Sequence, residues 1–169
     1  MPDFKLMPFQ DEFVFSEARF PCFCAGVGTG KTHLAVSICK ELRYKAICCK
    51  LTTVNRIIRD VRSCWGGKRK ENDWGSDKVI TEEAIIERYV DYGLLVIDEI
   101  GSQYGSESER IIINEIINDR YEMDAPTVII GNVSISEANK ILGTRVVDRI
   151  KDNGNVMFFE WDSHRKIKS

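Results

Sequence analysis

The stretch CFCAGVGTGKTHLA, residues 22–35, decides the fold. Its apolar start, residues 22–25, reads as a short strand, and glycines follow at Gly26, Gly28 and Gly30. Lys31 then opens a segment with Leu34, Ile38 and Leu42 at helical spacing, which predicts a helix to about Arg43. Strand, glycine turn and helix in this order form a phosphate cradle. Glycines let the chain turn tightly enough for several backbone N–H groups to converge on phosphate oxygens. The helix adds its positive N-terminal end.

Ala25, Gly26, Val27, Gly28, Thr29, Gly30, Lys31 and Thr32 fit the P-loop spacing G-x-x-x-x-G-K-[ST], with Ala25 in place of the first glycine. These eight residues are the expected binding loop for ATP. Lys31 is expected to reach its β- and γ-phosphates, and the Thr32 hydroxyl to ligate Mg2+. Alanine at the first position is a mild departure, because that residue only begins the turn. His33, one helical residue beyond the metal ligand, reads as structural.

Downstream, GLLVIDEIG (residues 93–101) is the strongest strand in the chain, an apolar run that ends in two acids. A buried strand of this kind delivers Asp98 and Glu99 to the sheet edge where the glycine loop opens. Asp98 is expected to hold the magnesium through water, and Glu99 to act as general base toward the attacking water. One acid at a strand end is often a helix cap; the pair, in a chain with a P-loop, points to hydrolysis. Asn132 ends the next buried strand, PTVIIGN (residues 126–132), and is expected beside the γ-phosphate, where it could orient the water.

The rest of the chain alternates in the same way, the pattern of an α/β sheet. Residues 46–51 (AICCKL) read as a second buried strand, after which Thr52 or Thr53 caps a helix carrying Val54, Ile57, Ile58 and Val61. Residues 65–77 are polar and glycine-containing and read as a mobile loop. A helix near residues 81–89 starts with a capping threonine and two acids; SESERIIINEIINDRYE repeats isoleucine at helical spacing; SISEANKILG reads as a capped helix and NVMFFEW as a last strand.

Size and composition agree with a single domain spanning 1–169: a segment at 1–21 and a P-loop core at 22–169. The 169 residues are 43% hydrophobic and 30% charged, with net charge −2. No apolar run approaches the ~18 residues of a membrane span. The N-terminus does not read as a secretion signal, and cytoplasmic placement is expected. Cys22, Cys24, Cys39, Cys48, Cys49 and Cys64 lack paired C-x-x-C spacing, which argues against zinc. They read as small buried hydrophobes in a reducing compartment. The near-neutral total hides an asymmetry. Residues 43–70 hold nine Lys or Arg and one acid, and residues 71–126 hold four basic residues and fifteen acids. This marks either an anion-binding face beside an acidic one or two solvated surfaces.

Taken together, GTGKTHLA, LLVIDEIG, IINDRYE, PTVIIGN, LGTRVVDRI and FEWDSHR resemble the DnaC/IstB group of AAA+ ATPases, which includes bacterial and phage helicase loaders. The resemblance implies a three-layer α/β P-loop NTPase of the AAA+/ASCE kind, with a central, mostly parallel five-stranded sheet. It implies an ATPase that takes ATP and Mg2+, assembles into a nucleotide-dependent homo-oligomer and acts in DNA replication on a hexameric replicative helicase. By motif match Arg149 is the arginine finger offered to a neighbouring subunit, with Arg145 supporting it or making another interface contact. Arg165 matches the arginine that contacts nucleotide in its own subunit; for both the alternative is a surface salt bridge to Asp148 or Asp162. Arginine suits both roles, because its planar cation stays charged and grips phosphate through several donors.

The basic strip overlies the family's contact with single-stranded DNA. Candidate contacts are Arg56, Arg59 and Arg62, at three-residue spacing along one helix, and Lys68, Arg69 and Lys70 beyond Trp65. The alternative is a solvated amphipathic helix followed by a loop. Full-length loaders usually carry a helicase-binding region before the ATPase. Here 24 residues precede the P-loop, so the chain reads as a short form. The opening residues also resemble the start of phage terminase large subunits, by which analogy Gln10 would read adenine. Four functions follow from these likenesses: a DnaC-like loader, an IstB-type transposition helper, a terminase-like packaging fragment, or a nonhydrolysing regulator of full-length loaders. Intact Lys31, Asp98, Glu99, Asn132 and Arg149 favour hydrolysis over the last.

Overall fold

A computed structural model describes residues 20–24, 30–65, 70–73, 76–101 and 106–158. Its elements are β1 (Phe20–Cys24), α1 (Lys31–Tyr44), β2 (Cys49–Thr53), α2 (Val54–Arg62), β3 (Lys70–Asp73), β4 (Ser76–Val79), α3 (Glu82–Val90), β5 (Leu94–Ile100), α4 (Glu107–Glu122), β6 (Thr127–Gly131), α5 (Ile135–Leu142), α6 (Thr144–Asn153) and β7 (Gly154–Phe158). Among the described residues five strands form one sheet in the order β2-β5-β6-β1-β7, every neighbouring pair parallel. The strand of the glycine turn, β1, and the strand of the two acids, β5, are therefore not neighbours. β6 lies between them.

β5 is buried on both faces, which is why its sequence is continuously apolar rather than alternating. Leu94 and Val96, with Val128 and Ile130 of β6, pack under Leu34 and Ala35 of α1. Leu95, Ile97 and Ile129 face the opposite layer, where Ile57 and Val61 of α2, Ile113, Ile116 and Ile117 of α4, and Val146, Val147 and Ile150 of α6 converge. The sheet is thus covered on both sides, as the α/β expectation requires. No helix among the described residues is long and apolar enough to cross a membrane.

The core also takes in an arginine. Arg120 is 0% exposed. Its guanidinium donates to the carbonyls of Tyr89 (3.1 Å), Val90 (2.6 Å), Tyr92 (2.7 Å) and Pro126 (2.6 Å), and to Thr127 Oγ1 (2.9 Å). It satisfies carbonyls left open at the end of α3 and ties them to α4 and the start of β6. Burial lowers its pKa to about 10, so it remains charged at neutral pH.

Several local expectations need correction. Residues 65–77, read as a mobile loop, contain β3 and the start of β4, which pair antiparallel from Lys70↔Val79 to Asp73↔Ser76. A hairpin can close over two residues, and its Lys, Glu, Asn and Asp content gave no strand signal. The second strand begins at Cys49 rather than residue 46, because the end of α1 takes the intervening residues. Ala46 is left-handed (φ 59) and donates to Arg43 O, and Ile47 N reaches back to Leu42 O, a Schellman closure built on alanine. α6 was not anticipated as a helix, although Val146, Val147 and Ile150 are buried at helical spacing. The cysteines are less buried than expected. Among those with described side chains only Cys64 is buried, Cys39 and Cys49 are half-buried, and Cys48 is exposed, since β2 is the sheet's edge strand.

Candidate nucleotide site

The site is built where parallel strands end together. Gly30 is left-handed (φ 84, ψ 5), a conformation that a side chain at this position would strain. It starts α1 with no capping side chain, and α1 has no acid in its first turn. The opening N–H groups and the positive end of the dipole are thus not answered by the helix's own residues, which suits an anion.

Lys31, 6% exposed, crosses to the end of β6. Its Nζ donates to the Gly131 carbonyl at 2.7 Å and to Asn132 Oδ1 at 2.6 Å. Gly131 is required at this spot, because a Cβ there would lie 2.8 Å from the Ile100 carbonyl of β5. Thr32 Oγ1 donates to Asp98 Oδ2 at 2.7 Å, and the Glu99 N–H donates to the other carboxylate oxygen, also at 2.7 Å. Three sequence-distant pieces thus meet: the start of α1, the end of β5, and the end of β6 with Asn132 just beyond it.

The end of β5 is irregular in a way that separates its two acids. Ile97 pairs with Ile129 and Ile100 with Gly131, so three steps along β5 match two along β6. The extra residue is a bulge. Within it Asp98 stays buried (9% exposed), while Glu99 is exposed and left-handed (φ 62). Left-handed backbone at a non-glycine residue is strained by ~1–2 kcal/mol, and such strain gathers at functional sites.

The residues suit magnesium-bound ATP. An uncapped helix start and a buried ammonium answer phosphate, and a hydroxyl touching a carboxylate offers the hard oxygen donors magnesium takes. A second carboxylate stands one residue away with its side chain toward solvent. The grouping can bind a polyphosphate, hold a metal and accept a proton from water.

Of the sequence-derived candidates, Gly30, Lys31, Thr32, Asp98, Glu99 and Asn132 come together here. Gln10, Ala25, Gly26, Val27, Gly28, Thr29, Lys68, Arg69 and Arg165 lie outside the described residues. Lys70 is described in its backbone alone, as the first residue of β3. Arg149 lies apart on α6. Its Nη1 donates to Asn118 Oδ1 at 2.6 Å, its Nη2 is 3.5 Å from Glu122 Oε1, and its Cζ lies 4.5 Å from the centre of the Tyr121 ring. All three partners belong to α4. None was visible in the sequence, because each is a tertiary contact across about thirty residues. The Gly131 carbonyl was likewise missed, as no side chain advertises it.

The basic face of α2 is real but partly engaged. Arg56 pairs with Asp60 at 3.3 Å, and Arg62 pairs with Glu109 at 2.7 Å and lies 5.6 Å from the Trp65 ring centre. Trp65 in turn donates its indole N–H to Glu82 at 2.8 Å. Arg59 is exposed and forms no ion pair with a described residue.

Sheet order, the Gly-Lys-Thr start of α1 and the converging strand ends define the class: an AAA+-type P-loop domain. The chain belongs to the family of IstB-like ATP binding proteins, whose family model matches residues 16–169. Among curated proteins it is similar to the replicative helicase loader DnaC of Escherichia coli (strain K12), 35% identical over 162 residues that make up 95% of this chain and 62% of that protein. The chain therefore spans about three-fifths of the length of the curated relatives it matches. The crystal structure of the DnaC helicase loader superposes with a TM-score of 0.72 at 22% identity, over 90% of this chain and 86% of that one. AMPPCP-bound DnaA from Aquifex aeolicus gives 0.71 at 20% identity, over 93% and 46%. At such identities these likenesses speak for the fold.

Proposed function

We propose that this chain is an ATP-hydrolysing switch of the DnaC-like loader kind, which binds single-stranded DNA and helps place a hexameric replicative helicase in the cytoplasm. The observation that carries the reading is the paired closure Lys31–Asn132 and Thr32–Asp98 beside Glu99. Three strand-end motifs of a nucleotide hydrolase share one cluster. Magnesium-bound ATP would supply the transferable γ-phosphoryl group and the cation that offsets its charge. Lys31 would exchange its Asn132 and Gly131 partners for phosphate oxygens. Thr32 and Asp98 would hold the metal, Glu99 would take the proton of the attacking water, and Asn132 would orient that water. Arg149 would complete the site of a neighbouring subunit, so turnover would require a homo-oligomer, and Arg165 would reach nucleotide in its own subunit.

Arg56, Arg59 and Arg62, with Lys68, Arg69 and Lys70, are the candidate DNA contacts. Arg56 and Arg62 keep 60% and 42% of their side chains exposed beside their carboxylate partners, so phosphates can compete for them. The test is ATP turnover across a protein titration, with and without single-stranded DNA, beside Lys31→Ala and Arg149→Ala. Turnover that rises faster than linearly with protein, responds to DNA and vanishes in both variants is expected. Tight ATP binding with no turnover under any condition would overturn the reading in favour of a nonhydrolysing regulator.

A second reading, an IstB-type transposition helper, is favoured by the family model itself, whose description is IstB-like. The two separate by partner. A loader requires a replicative helicase, whereas a helper requires a transposase.

A further inference from the structure

We propose that Asn118 and Tyr121 are positioning residues for Arg149, forming a neutral grip that aims the guanidinium at the nucleotide of a neighbouring copy. The inference rests on the reading of Arg149 given above, and it assigns work to two residues that reading leaves idle. Asn118, Tyr121 and Glu122 occupy one face of α4, at i, i+3 and i+4. Together they meet Arg149 on an edge and on a ring face: the amide oxygen at 2.6 Å, the aromatic ring at 4.5 Å, the carboxylate at 3.5 Å.

The chemistry of the three contacts decides between holding and hiding. An arginine kept out of use is normally neutralised by a close, buried carboxylate. Here the close partners are a neutral amide and a ring, which fix orientation without cancelling charge. Among the described residues the one carboxylate it meets is the more distant partner, and that is 65% exposed, so its pull is weak. Arg149 itself is 17% exposed and uses two of its N–H groups in these contacts. Its remaining donors make no hydrogen bond to a described residue, and they are what a phosphate would take.

The platform is rigid. Ile113, Ile116 and Ile117 of α4 are at most 1% exposed, and Arg120, lying between Asn118 and Tyr121 in sequence, bonds the last turn to α3 and β6. Loose placement of a catalytic group by ~1 Å can cost ~100-fold in rate.

Two measurements test this. In nucleotide-free protein, the order parameter of the Arg149 Nε–H, read by nitrogen relaxation, should be near ~0.85 and fall to ~0.6 or below in Tyr121→Leu and in Asn118→Ala. An unchanged order parameter would overturn the proposal. In turnover, both variants should lose ~10- to 100-fold with nucleotide affinity unchanged, and each should regain activity when mixed with Glu99→Gln subunits. Those subunits bind nucleotide without turning it over and lend an intact Arg149. Arg149→Ala mixed in the same way is the control: if Arg149→Ala alone keeps full turnover, the finger reading fails. If Arg149→Ala is dead while Tyr121→Leu and Asn118→Ala turn over normally or faster, positioning fails and the contacts are idle or sequestering. Loss of nucleotide affinity in the variants, or no rescue on mixing, would mark a merely structural role.

Discussion

The Lys31 ammonium donates to the Asn132 side-chain oxygen at 2.6 Å across 101 positions of sequence. In the same corner the Gly131 carbonyl accepts from it at 2.7 Å. The P-loop lysine and the polar residue beyond β6 are thus direct partners, and the start of α1 is joined to a strand that is not its sequence neighbour.

Asn132→Ala removes one of these acceptors from a buried charge. The folded protein without nucleotide should lose ~1–2 kcal/mol, read as a lower urea midpoint with an unchanged slope. A midpoint equal to that of the parent would show that Lys31 keeps its burial without Asn132.

Glu99 separates stability from activity. Glu99→Gln should keep nucleotide binding and lose turnover by ~100-fold or more. Glu99→Gly should be equally inactive yet melt higher than Glu99→Gln, because glycine relieves the left-handed strain at φ 62 by up to ~1 kcal/mol. Thermal melts of the two variants side by side decide it; equal melting temperatures would remove strain from the account.

Arg120→Ala strips one donor group from four carbonyls and a hydroxyl in the core. A loss of ~3–5 kcal/mol is expected, enough to unfold a marginal domain. Arg120→Lys should recover only part, since an ammonium cannot span the same set of acceptors. Denaturant unfolding of the pair measures both effects.

Glu83, Glu87 and Asp91 of the α3 segment face Glu115, Asp119 and Glu122 of α4 across an open groove of ~510 Å³ floored by Ile86, Val90 and Met123. Burial, then Asp119, Glu82 and Glu83, raise the pKa of Glu115. A carboxyl with a folded pKa above its unfolded one binds more protons when folded, so it lowers stability as pH rises from the unfolded value through the folded one. Glu115→Gln should therefore raise the melting temperature at pH 7.5, have no such effect near pH 3, and gain less in high salt, where the repulsion is screened. A gain independent of pH would rule out charge as its cause.

How much of this could be read from the sequence depended on whether a signal was local. β5, α1 and the Gly-Lys-Thr start declare themselves because one short segment carries both the apolar pattern and the special residues. Thr53, Thr81 and Ser134 cap their helices as their side chains suggest, each accepting from a backbone N–H three residues on. The hairpin at β3 and β4 was hidden by polar composition, and α6 by its charged residues, which leave Val146, Val147 and Ile150 as a short apolar stripe. The grips on Lys31, Arg120 and Arg149 depend on which strands and helices become neighbours, and no periodicity encodes that.

The sheet order also carries a consequence for the timing of synthesis. β1 is made first, yet its partners are β6 and β7, more than a hundred positions later. While the ribosome extends the chain, the glycine turn has no strand beside it and Lys31 has no Asn132. A nascent chain ending before residue 131 should fail to retain nucleotide, so competence arrives abruptly once β6 and Asn132 have been made rather than growing with length.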